Sequence, residues 1–367
     1  MAKVLIGLSG DGRGHSSRCK ATIAHLLEKG HEVKVVTSGK GYEYLHDYYN
    51  VVKILGYKVA SDTGQVNNWR TLTDAFEKLS KHGLKTFRIL RSEVENFKPD
   101  AIISDFEPFV IVIGAYKRIP LISIDNQHVI TLCHLDYPKA WLKEYIIAWL
   151  VCNVIGSYSD YYFLTCFFQP KLLKSFVKKA TQVGPILRQE VLELQPTSED
   201  HILIYIRTPE LSRSIGSLVE KLSDQSFCAY GFETTNAQYD NIIFNPPSEQ
   251  GFLQDLAAAK AVITNGGHSL ISEALYLGKP IYSIPTRGDF EQMINAYYVE
   301  KLGYGMYTGS PSPEHLQEFL HNLDSFKLNI AKDSQKFNGN DHFFELLDSR
   351  LARLPSKKVT SNQLLPQ

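Results

Sequence analysis

The chain has 367 residues, with 39 basic and 39 acidic side chains and a formal net charge of +0. This charge balance does not favour a nucleic-acid-binding protein, and the length accommodates two domains of ordinary size. The five cysteines form no C-x-x-C pair, so the sequence predicts neither a zinc site nor a disulfide framework, but buried thiols in a reducing compartment.

The N-terminal half alternates predicted strands and helices. The first apolar run, Val4–Leu8, is too short for a secretory signal and is typical of a central parallel strand. Predicted helices such as Ser17–Lys29 and Thr71–Phe97 lie between strands, which is typical of a doubly wound parallel sheet. The predicted strands are Val4–Leu8, Glu32–Thr37, Val51–Leu55, Ala101–Ser104, Leu121–Ile124 and Tyr161–Thr165.

A glycine-rich loop with the sequence G-D-G-R-G-H, Gly10–His15, follows the first strand. Its spacing is not the G-x-G-x-x-G of dinucleotide-binding folds, and the second strand ends in V-V-T-S, without an acidic residue for an adenosine ribose. We therefore expect the glycines to bring this loop close to a different ligand, with His15 at the end of the loop.

Polar residues follow the predicted strand Leu121–Ile124. Ligands of open α/β sheets bind at the carboxyl ends of the strands, so Asn126, Gln127 and His128 are candidate acceptor-binding residues. An ordinary polar loop is the alternative.

The longest apolar region, Tyr145–Phe168, is interrupted by polar residues and is not expected to span a membrane. We interpret it as a core helix, about Lys139–Ile155, followed by a core strand. The alternative is an apolar surface for an acceptor or a membrane, because Trp141, Tyr145 and Trp149 recur at helical spacing.

A second alternating series begins after a domain boundary that we expect near Gln182–Ile186. Its predicted strands are Ile202–Ile206, Ser226–Tyr230, Ile242–Phe244, Ala261–Thr264 and Pro280–Ile284.

The turn Thr264–Ser269, with the sequence T-N-G-G-H-S, joins the strand Ala261–Thr264 to a segment with helical periodicity. Free N–H groups and the positive end of the helix dipole attract anions at such a helix start. The sequence therefore predicts a phosphate or diphosphate site, with an ordinary strand-to-helix turn as the alternative.

The residues after this turn extend the pattern in order, with Glu273-Ala274, Gly278-Lys279-Pro280, Glu291-Gln292, Asn295-Ala296 and Gly303-Tyr304-Gly305. From Thr264 to Gly305 the chain resembles the nucleotide-sugar-binding half of GT-B glycosyltransferases. The closest patterns are those of the UDP-glycosyltransferases and the lipid-linked peptidoglycan GlcNAc transferase. The chain departs from the pattern at Asn265, where many members have His.

The resemblance implies donor-binding roles for the residues that match the motif. A carboxylate can accept hydrogen bonds from a diol, and a carboxylate–amide pair can bind several hydroxyls. The implied ligands are Gly267, His268 and Ser269 for the diphosphate, Glu273 for the ribose, and Glu291 and Gln292 for the sugar. By position alone, Gly14 and Arg207 are further candidates for the diphosphate, and Ser248 and Phe252 for the ribose and base.

In the same transferases a Gly-x-Gly-His motif lies at the cleft between the domains. Several inverting members use its histidine as a general base, paired with an aspartate after a later strand. The matching residues are His15 and Asp105, whose carboxylate would orient the imidazole and stabilise its protonated form. Glu107 is the rival base because it follows the same strand, and a histidine that only contacts phosphate is the other alternative for His15.

The resemblance also implies the architecture, an α/β GT-B fold of two Rossmann-like, doubly wound parallel-sheet domains that face a cleft. Residues 1–183 would form the N-terminal, acceptor-binding domain and residues 184–336 the C-terminal, donor-binding domain. A helix at about residues 337–354 would pack back on the first domain, and residues 355–367 would form a loose tail.

The expected activity is an inverting glycosyl transfer without cofactor or metal. The absence of an Asp-x-Asp motif predicts that no metal ion binds the diphosphate. The absence of a Glu eight positions before Glu273 favours inversion over retention. The resemblance favours a UDP-sugar donor. It also favours a hydroxyl acceptor on a glycan, a lipid-linked molecule or a small molecule, in microbial cell-surface glycan or glycolipid synthesis. We expect a cytoplasmic protein, with peripheral contact at the inner face of the membrane as an open alternative. The alternative functions are a UDP-GlcNAc 2-epimerase-like enzyme and a non-catalytic nucleotide-sugar-binding protein.

Overall fold

The computed structural model describes residues 1–10, 12–56, 61–62, 65–66, 83–156, 158–206, 215–216, 218–232 and 240–354. Two parallel sheets organise this part of the chain. We call the first sheet with its helices the first lobe, and the second sheet with its helices the second lobe.

The first sheet has seven parallel strands, with Lys3–Leu8 in its interior, beside the central strand Ala101–Asp105. Neighbouring residues of this strand point to opposite faces, so Val4 and Ile6 join one apolar core while Leu5 joins the other. In spatial order the strands are Val51–Lys53, Glu32–Thr37, Lys3–Leu8, Ala101–Asp105, Leu121–Asp125, Tyr161–Thr165 and Ala180–Val183. A short antiparallel pair, Ser61–Asp62 with Gln65–Val66, lies apart from this sheet.

The second sheet has six parallel strands and the same alternation, with Ile202 and Ile204 in one apolar core and Leu203 in the other. In spatial order the strands are Ile242–Phe244, Ser226–Tyr230, His201–Tyr205, Ala261–Thr264, Ile281–Ser283 and Gly305–Tyr307.

The described α-helices lie between these strands and after the last one. Their bounds are Gly14–Glu28, Gly39–Leu45, Gly83–Phe97, Pro108–Lys117, Val129–Leu132, Leu142–Gly156, Gln189–Leu192, Glu249–Ala258, His268–Tyr276, Phe290–Lys301, Pro313–His321, Leu323–Lys332 and Asn340–Ala352. Short 3-10 helices span Lys139–Trp141 and Ser334–Lys336.

The last helix, Asn340–Ala352, packs on the first lobe. Its Phe343 and Leu347 are fully buried in the core that also contains Ile23 of helix Gly14–Glu28. The two chain segments between the lobes lie side by side, because the Gly339 N–H donates to the Pro185 carbonyl at 2.8 Å. Two adjacent chain segments therefore join the two lobes.

The fold class predicted from the sequence is confirmed, with each predicted strand present and its ends shifted by at most a few residues. Two edge strands, Ala180–Val183 and Gly305–Tyr307, were not predicted because short strands carry little periodicity. Helix Gly14–Glu28 begins before the predicted Ser17, so the prediction that His15 lies in a loop is wrong. Residues 71–82 of the predicted helix and the tail 355–367 lie outside the described residues.

Candidate active site

His15 and Asp105 meet at the carboxyl end of the first sheet. His15 lies in the first turn of helix Gly14–Glu28, and Asp105 is the last residue of strand Ala101–Asp105. His15 Nδ1 lies 2.8 Å from Asp105 Oδ1, and the carboxylate is fully buried. The structure therefore brings this predicted pair together.

Arg18 is a second partner of Asp105 that the sequence analysis missed. Its Nε donates to Oδ2 at 3.0 Å and its Nη2 to Oδ1 at 2.6 Å, which is a bidentate ion pair. Arg18 follows His15 by one helical turn, and this i, i+3 spacing is the signal that could have identified it.

Charge fixes the protonation states in this cluster. Burial raises the pKa of Asp105, but Arg18 and His15 outweigh it and lower that pKa to about 2. Burial lowers the pKa of His15, but the Asp105 carboxylate outweighs it and the net shift is upward. Because an ionised carboxylate only accepts hydrogen bonds, the proton of neutral His15 lies on Nδ1 and Nε2 keeps its lone pair.

The second lobe contributes a helix start with uncapped N–H groups. Gly266 adopts a φ of +89°, and its carbonyl accepts a hydrogen bond from Asn295 Nδ2 at 3.1 Å. Helix His268–Tyr276 follows Gly267 directly, and no side chain caps it. Its free N–H groups and its dipole make this position suitable for an anion.

His268 is buried at this helix start, with 5 % of its surface exposed, and neither ring nitrogen has a hydrogen-bond partner among the described residues. Burial and the nearby Arg18 charge lower its pKa to about 3, so the imidazole is neutral and offers one N–H donor. Leaving such a buried group unpaired costs ~1–3 kcal/mol. An incoming ligand that pairs with His268 would remove this cost.

The two lobes touch where their helix starts meet. A Cβ on Gly14 would lie 2.8 Å from Ser269 Oγ, so the helices approach as closely as glycine permits. A narrow cleft at this contact is lined by side chains from both lobes, including Arg18, His268 and Glu273.

Glu273, the predicted ribose ligand, forms a buried ion pair with Arg188. Arg188 Nε donates to Oε1 at 2.8 Å and Nη2 donates to Oε2 at 3.0 Å. Arg188 Nη1 also donates to Glu249 at 2.6 Å, and that carboxylate accepts from Tyr44 of the first lobe at 2.6 Å. Arg188 was missed because its partners are remote in sequence, although its place just after the predicted boundary at Gln182–Ile186 is a usable signal.

Glu291, a predicted sugar ligand, connects to the polar loop of the first lobe. Gln127 Nε2 donates to Glu291 Oε2 at 2.8 Å, whereas Gln127 Oε1 is buried with no hydrogen-bond partner among the described residues. Burial raises the pKa of Glu291, and His15 and Gln127 oppose that rise. Gln292 bonds locally, because its Oε1 accepts from the Thr286 N–H at 2.9 Å.

The other residues of the first-lobe loop bond within that lobe. His128 Nδ1 lies 2.6 Å from Asp125 and Nε2 lies 2.9 Å from the Gly156 carbonyl, so both nitrogens face acceptors and burial does not prevent the pKa from rising. Asn126 Nδ2 donates to the Thr165 carbonyl at 3.1 Å. Among the three predicted acceptor residues, only Gln127 reaches the second lobe in these contacts.

Glu107, the rival base, caps a helix. Its Oε2 accepts from the Val110 N–H at 2.9 Å at the start of helix Pro108–Lys117. Burial raises its pKa to about 8 against these backbone hydrogen bonds. This capping contact gives Glu107 a structural role at the helix start.

The predicted base-binding residues lie on the second lobe. Ser248 Oγ caps helix Glu249–Ala258, accepting from Gly251 N–H at 3.1 Å. Phe252 lies edge to face with Tyr205 and Tyr230, each at 5.3 Å between ring centroids. This aromatic cluster offers ring faces, and Arg207 lies outside the described residues.

Within the described ranges, no group of three or more His, Cys, Asp or Glu side chains is arranged to hold a metal ion. In the same ranges, no helix has the length and hydropathy required to cross a membrane.

Comparison with known proteins gives a consistent set of similarities. The model of the family described as "Glycosyl transferase family 1" matches residues 2–324. An uncharacterized glycosyltransferase of Methanosarcina acetivorans is 26 % identical over 92 % of this chain and 94 % of that protein. A Bacillus cereus protein named UDP-N-acetylglucosamine--N-acetylmuramyl-(pentapeptide) pyrophosphoryl-undecaprenol N-acetylglucosamine transferase 3 is 24 % identical over 92 % of this chain and 94 % of its own length.

Solved structures share the fold at low identity. The calicheamicin glycosyltransferase superposes with a TM-score of 0.70 at 16 % identity, covering 96 % of this chain and 99 % of that one. The kitacinnamycin glycotransferase gives a TM-score of 0.69 at 17 % identity, with the same coverage.

Proposed function

The chain belongs to glycosyl transferase family 1, and we propose that it transfers a sugar from a nucleoside-diphosphate sugar to an acceptor hydroxyl, with inversion and without a metal ion. The family and fold make it a glycosyltransferase of the GT-B type. The observation that carries the proposal is the contact of His15 with the buried Asp105 carboxylate, next to the uncapped helix start at His268.

His15 is the proposed general base. Its Nε2 takes the proton of the acceptor hydroxyl while the hydroxyl oxygen bonds to the anomeric carbon. The bond from that carbon to the diphosphate oxygen breaks, and its electron pair leaves with the diphosphate. Asp105 holds the imidazole through Nδ1 and stabilises the imidazolium, and such base catalysis contributes about 10²–10⁴-fold.

The start of helix His268–Tyr276 is the proposed site for the leaving diphosphate. Negative charge grows on the diphosphate as the bond to the sugar breaks, so fixed donors are most effective there. The available donors are the uncapped N–H groups, the neutral His268 ring and the Ser269 hydroxyl. We propose that these groups stabilise the charge in place of a metal ion.

Glu273 is the proposed ribose ligand even though it pairs with Arg188. An ionised carboxylate has roughly four lone-pair directions, and Arg188 uses two, so two are left for ribose hydroxyls. We propose that the base packs near Phe252 and that Glu291, held by Gln127, contacts the sugar.

A UDP-sugar is the proposed donor, and a glycan or lipid-linked hydroxyl is the proposed acceptor, in cell-surface glycan or glycolipid synthesis at the inner face of the membrane. Support comes from the name of the Bacillus cereus relative, which specifies a UDP-sugar and an undecaprenol-linked acceptor. The domain roles follow, with residues 1–183 binding the acceptor and residues 184–336 the donor.

The experiment that tests this function incubates the purified chain with a panel of UDP-sugars and hydroxyl acceptors, in EDTA and in magnesium. The expected result is acceptor-dependent UDP release that EDTA does not reduce, with inverted anomeric configuration in the product. Retained configuration, or activity abolished by EDTA, would contradict the proposal.

A further inference from the structure

Helix Leu142–Gly156 presents an apolar stripe to solvent. Leu142, Ile146, Leu150 and Val154 recur every four residues along one side, with 40 to 56 % of each residue exposed. Soluble monomers seldom expose contiguous apolar surface on this scale unless it binds something.

Neighbouring residues widen this stripe. Val112 and Tyr116 are exposed on helix Pro108–Lys117, which packs beside helix Leu142–Gly156. Trp149 and Tyr158 add aromatic rings, which favour the boundary between water and lipid. We call the whole surface the apolar face, and its residues are Val112, Tyr116, Leu142, Ile146, Trp149, Leu150, Val154 and Tyr158.

Exposed cations lie on or next to these two helices and on helix Gly83–Phe97, which packs against helix Pro108–Lys117, although the whole chain has no net charge. They are Lys85, Arg88, Arg118, Lys139 and Lys143. The acidic Glu95 nearby is already paired with Arg91 and Lys117, and Glu144 is the acidic residue of the stripe-bearing helix. The charge around this face is therefore predominantly positive.

A pocket of about 500 Å³ lies at one end of the apolar face, where Tyr158 lines both. Three arginines line it, Arg118, Arg350 and Arg353, and the Arg350 guanidinium also lies over the Tyr161 ring. Its one acidic residue, Asp160, already accepts a hydrogen bond from the Leu121 N–H at 2.8 Å. Guanidinium groups bind phosphate oxygens in pairs, so the pocket suits a phosphate group.

We propose that the apolar face docks on a bilayer that contains anionic lipids, with a lipid phosphate in the arginine pocket. Apolar side chains would insert among the acyl chains while the surrounding cations meet the headgroups. A symmetric pairing with a second copy is disfavoured, because it would bring the same cations together.

One end of the apolar face lies close to the cleft between the lobes. Trp141, next to Leu142, contacts Tyr297 and Tyr307 of the second lobe, so the stripe begins at the rim between the lobes. A docked protein would hold this rim at the membrane, within reach of a lipid-linked acceptor. This last step rests on the proposed function, whereas the docking itself does not.

The test is sedimentation with phosphatidylcholine vesicles that contain or lack phosphatidylglycerol, at low and high salt. The chain should sediment with the anionic vesicles and much less with the neutral ones, and salt should weaken the binding. The double variant Leu142→Ser/Ile146→Ser should bind about tenfold more weakly or worse. Arg118→Asn/Arg353→Gln should lose the preference for phosphatidylglycerol.

Leu328→Ser is the matched control, because Leu328 is at least as exposed as Leu142 and Ile146 but lies on the second lobe. All variants should melt like the wild type and transfer sugar normally to a soluble acceptor, so loss of docking is separable from loss of transfer. Equal binding by the Leu142→Ser/Ile146→Ser variant, or no vesicle binding by the wild type, would overturn the proposal. A dimer that the same variant dissociates, without vesicle binding, would assign the face to a second copy.

Discussion

The two sides of the cleft differ in how their polar groups are satisfied. On the first-lobe side, Asp105 is bonded to His15 and Arg18, so its charge is fully paired before any substrate arrives. On the second-lobe side, the helix start is uncapped and both nitrogens of His268 are buried without a partner among the described residues. A paired cluster fixes one proton position for catalysis, whereas an unpaired helix start is ready for an anion. The predictions below separate these two roles.

His15→Ala gives the largest expected effect on turnover. Loss of the base should lower kcat about 10²–10⁴-fold, while the Kd for UDP stays close to the wild-type value. The matched control is His25→Ala, because His25 lies on the same helix and also pairs with an aspartate, Asp348 at 2.9 Å, but lies outside the cleft. Steady-state kinetics and calorimetric titration with UDP measure both effects, and a normal kcat in His15→Ala would remove the proposed base.

Gly267→Ala targets the second-lobe side of the cleft, where the helix start is uncapped. A Cβ on Gly267 would meet no protein atom within 4 Å, so the melting temperature should hardly change. The same Cβ would occupy space that the diphosphate needs, at an expected cost of ~1–3 kcal/mol in binding, or about fivefold to 150-fold in Kd. Gly309→Ala is the control, since its Cβ also meets nothing. Unchanged UDP affinity in Gly267→Ala would place the diphosphate elsewhere.

Asp105→Asn tests the coupling between Asp105 and His15 on the first-lobe side of the cleft. Asp105 raises the pKa of His15 against burial and Arg18, so removing its charge should lower the pKa of His15. Because the base must be neutral, the acidic limb of the kcat/KM profile should move to lower pH, by about one unit or more. The plateau should also fall, since the amide can donate as well as accept and no longer fixes the proton on Nδ1 or stabilises the imidazolium. An acidic limb that does not move would show that another group controls it.

Gln127→Ala should have the smallest effect, because it removes one hydrogen bond across the lobes. Gln127 opposes the upward shift in the pKa of Glu291, so the variant should leave Glu291 more often protonated. We expect the KM for the donor sugar to rise about threefold to tenfold, with little change in the Kd for UDP itself. Equal weakening of UDP and UDP-sugar would argue against a contact with the sugar.

The sequence predicted the parts of this account that depend on local pattern. Apolar runs located the sheets, and the turn at Gly266 was recognised from its glycines and the helix after it. Arg18 and Arg188 were missed because their importance comes from ion pairs with residues 85 to 87 positions away. Such partners are brought together by tertiary packing, which no local window of sequence contains.

At the loop Asn126–His128, the local pattern likewise did not predict which hydrogen bonds the side chains make. Its polarity and position predicted a binding site. In the structure, Asn126 and His128 form hydrogen bonds with backbone carbonyls of the same lobe and with Asp125. Polarity alone does not distinguish a side chain that faces a ligand from one that holds its own loop.

The most direct test of the central claim is the shift in melting temperature that UDP causes in the wild type, in His15→Ala and in Glu273→Gln, each in EDTA and in magnesium. We assign nucleotide binding to the second-lobe side of the cleft and proton transfer to the first-lobe side. UDP should therefore stabilise the wild type and His15→Ala equally, in EDTA and in magnesium, and should stabilise Glu273→Gln much less. A wild type that UDP does not stabilise, or a His15→Ala variant that loses the shift as completely as Glu273→Gln, would contradict this division of roles.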